Sequence, residues 1–147
     1  MIRPEAFLLQ AERWVHEPNE EDWRSAVSRA YYAAFHATRD LFRALGFRVP
    51  RAGKAHPYLW MRLSNCGNPT LQTAGNDLDN LQGERNFADY DLHLSLSQAD
   101  AQVSVQTARS VVQQLPAALV DPVRTQVRDA MRDYERVVLR DVTWQGP

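Results

Sequence analysis

Arg85 is the side chain whose position most demands a chemical reason. The apolar positions Leu71, Ala74, Leu78 and Leu81 recur at helical spacing, and one further step along that stripe lands on this arginine. A guanidinium on the inward face of a core helix must be paired and enclosed or must line a cavity, because an unpaired buried charge is prohibitively costly. Glu84, Asn86, Asp89, Tyr90, Asp91 and His93 stand close to it in sequence, an unusually polar set for the end of a core helix. Asp89 is one turn on, so an ordinary intrahelical ion pair is the competing reading. A second decorated stripe lies upstream, where Arg29, Tyr32, His36, Arg39 and Arg43 repeat at three and four. Arginine binds phosphate or carboxylate bidentately, and imidazole can move a proton near neutral pH. Tyr32 and His36, one turn apart, form either a hydrogen-bonded helix-interface pair or part of a site.

A third group is basic. From Leu41 to Asn76 there is no Asp or Glu, while Arg43, Arg48, Arg51, Lys54 and Arg62 contribute +5, so a net charge of −1 leaves −6 on the remainder. Such a local field attracts phosphate, or it meets carboxylates from elsewhere in the fold. His56 precedes Pro57 and either caps a helix or joins this group. The four histidines, His16, His36, His56 and His93, fall in different segments, and no Cys or His pair has zinc spacing. No Gly-rich loop follows a strand, and no nucleophile elbow is present. No metal and no cofactor are expected.

The elements that must position these groups read as helices throughout. The first, about Pro4 to His16, carries Phe7, Leu8, Ala11, Trp14 and Val15 before Pro18-Asn19 breaks it. The second has Asn19 as N-cap and Glu20, Glu21 and Asp22 in its first turn, then Trp23, Val27, Ala30, Tyr31, Ala34, Phe35, Thr38, Leu41, Phe42 and Leu45 on one face, with Gly46 as the left-handed stop. A short helix over about Pro57 to Cys66 follows, then one from Leu71, capped by Thr70, to Asp89. The fifth begins at Ser97, with Asp100 three residues on. Pro116 and Pro122 bracket a break, and a last helix ends near Arg140 with a solvated Arg/Asp face. The expectation is an all-α, antiparallel bundle of four to five helices in a single domain over residues 1–147, its core about 20–115, with an extra C-terminal helix at about 120–140. No apolar run is long enough to span a membrane, and the N-terminus lacks the layout of a secretory signal. The lone Cys66 suits a reducing compartment, so a cytoplasmic location is expected.

The stretch Ser28-Arg29-Ala30-Tyr31-Tyr32-Ala33-Ala34-Phe35-His36-Ala37, then Gly46, Lys54-Ala55-His56, and Arg85-Asn86-Phe87-Ala88-Asp89-Tyr90-Asp91 resembles the HEPN domain superfamily. The similarity is greatest to small stand-alone prokaryotic members with a paired tyrosine in the second helix and an Arg…Ala-Asp-Tyr signature. The resemblance implies a helical bundle that forms a homodimer, with the signature arginine facing a shared cleft. It implies an RNA-related role of toxin or phage-defence type, a nucleotidyltransferase-type antitoxin as partner, and metal-independent endoribonuclease chemistry. On that pattern Arg85 clamps phosphate, His93 or His36 shuttles the proton, and Tyr32, Arg39, Arg43, Lys54, His56, Asp89 and Tyr90 contribute to binding. In some family members a tyrosine near the signature is a modification site, which draws attention to Tyr90. Nuclease members place their histidine nearer the arginine, whereas seven residues separate Arg85 from His93 here. A non-catalytic module that binds a nucleotide or a partner, and a purely structural dimer, therefore stay open beside the ribonuclease.

Overall fold

The computed structural model describes residues 1–146. The chain is all-α, a bundle of helices α1 (Pro4–Trp14), α2 (Glu20–Ala44), α3 (Ala55–Leu63), α4 (Pro69–Tyr90), α5 (Gln98–Gln114) and α6 (Val123–Tyr134). No helix among the described residues is long and apolar enough to cross a membrane. Two compact units divide the chain, Met1–Ala37 with Asp77–Val112, and Thr38–Asn76 with Gln113–Pro147.

In the first unit, the alanines Ala26, Ala30, Ala33 and Ala34 of α2 are wholly buried. Side chains this small let neighbouring helices approach closely. Leu8 and Ala11 of α1, Leu78, Leu81 and Ala88 of α4, and Ala101, Val105, Ala108 and Val111 of α5 complete this core. Each buried leucine or valine contributes about 1.5–3 kcal/mol by leaving water. The pairing of α2 with α4 is antiparallel, and three side chains four residues apart show its register. Arg24 donates to Ala88 O at 2.9 Å, Ser28 Oγ meets Asp89 Oδ2 at 3.2 Å, and the Tyr32 ring faces Arg85.

In the second unit, Phe42 packs against Phe47 and Tyr58 with ring centroids 5.7 and 6.0 Å apart. Leu59, Leu63, Leu71, Val127 and Met131 are fully buried around them. Gly75 is required where α4 passes the end of α3, because a Cβ there would sit 2.5 Å from Ser64 N. Gly46 takes φ +97°, the left-handed stop that the α2 pattern predicts.

The element boundaries follow local chemistry. Ser97 Oγ accepts the Asp100 N–H at 3.1 Å, the expected cap of α5. Helix α4 begins two residues before the expected Leu71, because Asn68, not Thr70, is the cap. Asn68 Oδ1 accepts the Leu71 N–H at 3.1 Å, and Pro69 takes the first helical position. The last helix does not run regularly to Arg140. After α6, residues Glu135–Leu139 form a π-helical turn that ends with Arg140 in the left-handed region, φ 52°.

Candidate functional site

In the first unit a four-residue step along α2 sets out Arg24, Ser28, Tyr32 and His36, and the last turns of α4 lie opposite. Arg24 is 8% exposed and also donates to the carbonyls of Phe87, Asp91 and Leu94. These are carbonyls of the last turn of α4 and of the loop after it; Phe87 O and Asp91 O also accept the N–H groups of Asp91 and Leu94, whereas Ala88 O is one of those that a helix end leaves without an internal partner. Arg24 thus fixes where α4 stops, and Glu20 supports it with an ion pair at 3.2 Å and accepts the Leu96 N–H at 3.0 Å.

One turn before that end stands Arg85, half-buried, with 19% of its side chain exposed. Its Nε lies 3.0 Å from Asp89 Oδ2, the intrahelical pair that the sequence spacing allows. The N–H does not point along that line, and Nε has no aligned hydrogen-bond acceptor among the described residues. Nη1 donates to Asn86 Oδ1 at 3.0 Å. Nη2 has no acceptor among the described residues. The rings of Tyr32 and Tyr90 each have their centroid 5.4 Å from the Arg85 Cζ, within cation–π range. Tyr90 is largely exposed and Tyr32 half-buried. The neighbouring Tyr31 is buried core, and burial pushes its hydroxyl well above the usual tyrosine range, with the adjacent Tyr32 adding to the rise and Arg85 opposing it.

Two histidines were candidates to work with Arg85. His93 sits exposed in the loop after α4, with no hydrogen bond or ion pair among the described residues. His36 is half-buried in an aromatic group, with ring centroids 6.1 Å from Tyr32, 5.2 Å from Phe35 and 5.6 Å from Phe7 of α1. Tyr32 therefore touches both Arg85 and His36. Arg29, placed beside these residues by the sequence pattern, turns instead to Phe7, with Cζ 5.2 Å from the ring centroid. Arg39, Arg43, Lys54 and His56 belong to the second unit. Lys54 and Arg43 are exposed, whereas His56 is buried in the first turn of α3.

The sequence pattern had no place for Arg24, Ser28 or Phe7 in the site. The signal for the first two was present as a four-residue step ending on Tyr32 and His36, which an apolar stripe beginning at Trp23 masks. Among the described residues no group of three His, Cys, Asp or Glu side chains is arranged to hold a metal ion. The arrangement offers one guanidinium with an open donor edge, flanked by two aromatic faces. Such a pair of features can grip a phosphate and stack an unpaired base beside it.

The chain is 27% identical over 122 residues to an uncharacterized protein of Methanocaldococcus jannaschii, an alignment covering 67% of this chain and 68% of that one. No solved structure matches it. The family model for the HEPN domain matches residues 5–117, more than three quarters of the chain, and includes every residue of the Arg85 cluster. The chain belongs to the HEPN family.

Proposed function

We propose that this protein acts on RNA in a toxin or defence role, as a metal-independent endoribonuclease with Arg85 as the phosphate-binding group. The observation that carries the reading is the Arg85 guanidinium, half-buried beside two tyrosine rings with Nη2 open. Arginine in this setting stabilises charge that grows on the phosphate oxygens as the adjacent ribose 2′-oxygen attacks phosphorus. In that step the 2′-O–P bond forms and the P–O5′ bond breaks, which leaves a cyclic phosphate and a 5′-hydroxyl. One group must take the 2′-hydroxyl proton and one must protonate the leaving oxygen. His36, which reaches the Arg85 cluster through Tyr32, is assigned to proton transfer. Tyr90 supplies an exposed face for a base. Family membership supports a homodimer in which two such clusters share a cleft, and a nucleotidyltransferase-type antitoxin as partner.

A second reading is favoured by the isolation of His93, the histidine that follows the signature arginine. On that reading the cluster binds a nucleotide, RNA or the partner without cleavage. Incubation of the protein with mixed RNA in EDTA separates the two. The ribonuclease reading expects cleavage by the wild type, none by Arg85→Ala, and a loss of at least about a hundredfold in Arg85-dependent cleavage for His36→Ala. RNA left intact by the wild type, or cut equally by Arg85→Ala, would remove Arg85 from any catalytic role.

A further inference from the structure

The second unit carries eleven Lys and Arg against six Asp and Glu, a net +5, while the first carries six against twelve, a net −6. Within the positive unit, a cavity of about 340 Å³ opens at the end of α2, lined by Arg43, Gly46, Phe47, Arg48, Val49, Gln145 and Gly146. Arg43 and Arg48 are both exposed, and neither guanidinium has an ion-pair or hydrogen-bond partner among the described residues. No side-chain carboxylate among the described residues lines the cavity.

A helix C-terminus would ordinarily repel an anion, because its last carbonyls point outward with partial negative charge. Here those carbonyls are occupied. Ala44 O accepts Arg124 Nη2 at 3.3 Å, Leu45 O accepts Trp144 Nε1 at 2.8 Å, and Gly46 O accepts the Gln145 N–H at 2.8 Å. All three donors come from beyond residue 117, where the family match ends. The segment is held in place by a bridge between Phe47 and Trp144 and by the Arg48 N–H on Thr143 O at 3.1 Å. Its route leaves no room for a side chain at Gly46, whose Cβ would lie 2.3 Å from Gly146 O. The C-terminal segment thus converts a carbonyl-rich helix end into an anion cradle. Arg51 and Lys54, exposed and without a partner among the described residues, lie on the loop that leaves the cradle and extend the positive charge past a single site. A row of cations suits a repeating anion better than one isolated phosphate.

We propose that Arg43 and Arg48, in the cradle closed by the C-terminal segment, bind the phosphodiester backbone of single-stranded nucleic acid. The inference deepens the RNA reading above, and rests on it for the choice of polymer. It is tested by titrating the full chain into a labelled single-stranded RNA and the DNA of the same sequence across a salt series. DNA keeps the phosphates and lacks the 2′-hydroxyl, so the measurement is independent of cleavage. Each phosphate contact on a single strand contributes about −0.7 to the slope of log affinity against log salt. Arg43→Ala/Arg48→Ala is expected to weaken both polymers about tenfold and to make the slope shallower by about 1.4. Arg43→Lys/Arg48→Lys is expected to restore the slope, and Arg13→Ala, an exposed arginine of the other unit, to leave it unchanged. An unchanged slope in the double alanine variant would overturn the cradle, as would binding to neither polymer, or binding to anionic lipid vesicles alone. Intact RNA with salt-dependent binding through Arg43 and Arg48 would sink the ribonuclease reading and leave the cradle standing.

Discussion

Arg85 and Asp89 set the balance at the site, since the carboxylate that holds the guanidinium in place also competes with an incoming phosphate. Asp89→Asn keeps an acceptor for Ser28 and removes the competing charge. It is expected to tighten RNA binding about two- to fivefold, the scale of a partly exposed ion pair, measured by the same titration. Arg24 has a different task. Arg24→Ala would leave the carbonyls of Ala88 and Leu94 without their donor, while those of Phe87 and Asp91 keep the backbone N–H groups of Asp91 and Leu94, at a cost of about 1.5–3 kcal/mol in a urea melt. The contrast shows what local sequence could and could not reveal. The i,i+4 relation of Arg85 and Asp89 was legible in the chain. The role of Arg24 was not, because its acceptors are backbone atoms more than sixty residues away. Nothing in their side-chain identities announces them.

Among the elements, α2 was legible almost to the residue, because its acidic first turn, its long apolar face and Gly46 all agree. The end of the chain was not. Glu135 follows the buried Val127 and Met131 at four-residue steps, so α6 itself turns this glutamate into the interior, where it is fully buried, and the π-helical turn that starts there leaves Val138, the next position of the expected apolar stripe, exposed. There Glu135 Oε2 accepts Arg62 Nε at 2.7 Å and the Thr143 hydroxyl, and Oε1 accepts the Thr143 N–H at 3.0 Å. Arg62 lies 3.6 Å from the Tyr58 ring centroid, and burial pushes the Tyr58 hydroxyl up to about 12, opposed by its hydrogen bond to Thr143 and by the Arg62 charge. Glu135→Gln leaves the buried Arg62 charge with only the exposed Asp141 carboxylate, 3.6 Å from Nη2, and is expected to destabilise by about 3 kcal/mol in a denaturant melt. Arg62→Met/Glu135→Leu removes both charges and should recover part of that loss, the remainder being the Thr143 and Trp144 donors left without their acceptor.

Over the whole molecule, the near-neutral net charge conceals two units of opposite sign. At neutral pH and low salt the protein is expected to be retained on both cation- and anion-exchange resins, each released as salt screens the field. Retention on neither would contradict this picture of two separate fields. The acidic unit also answers to pH. Asp77 lines a cavity of about 390 Å³ with Glu84 and Asp100, and burial raises its carboxyl above the ordinary range. A carboxyl raised in the folded state favours folding while it is protonated, and that contribution is lost as pH rises through the folded value. Asp77→Asn is therefore expected to raise the melting temperature slightly at neutral pH. The difference should vanish in acid below the ordinary carboxylate range, and scanning calorimetry at both pH values checks the sign.

The clasp between Arg62 and Glu135 has a practical edge, since its two halves fall on opposite sides of residue 117. Trimming the protein to the family boundary would keep every member of the Arg85 cluster. It would also take away both carboxylates that answer Arg62, lay open the face of α3 that α6 covers, and bare the carbonyls at the close of α2. Such a fragment should clump or be degraded, and an assay that found it inert would be reporting a spoiled scaffold instead of a silent site.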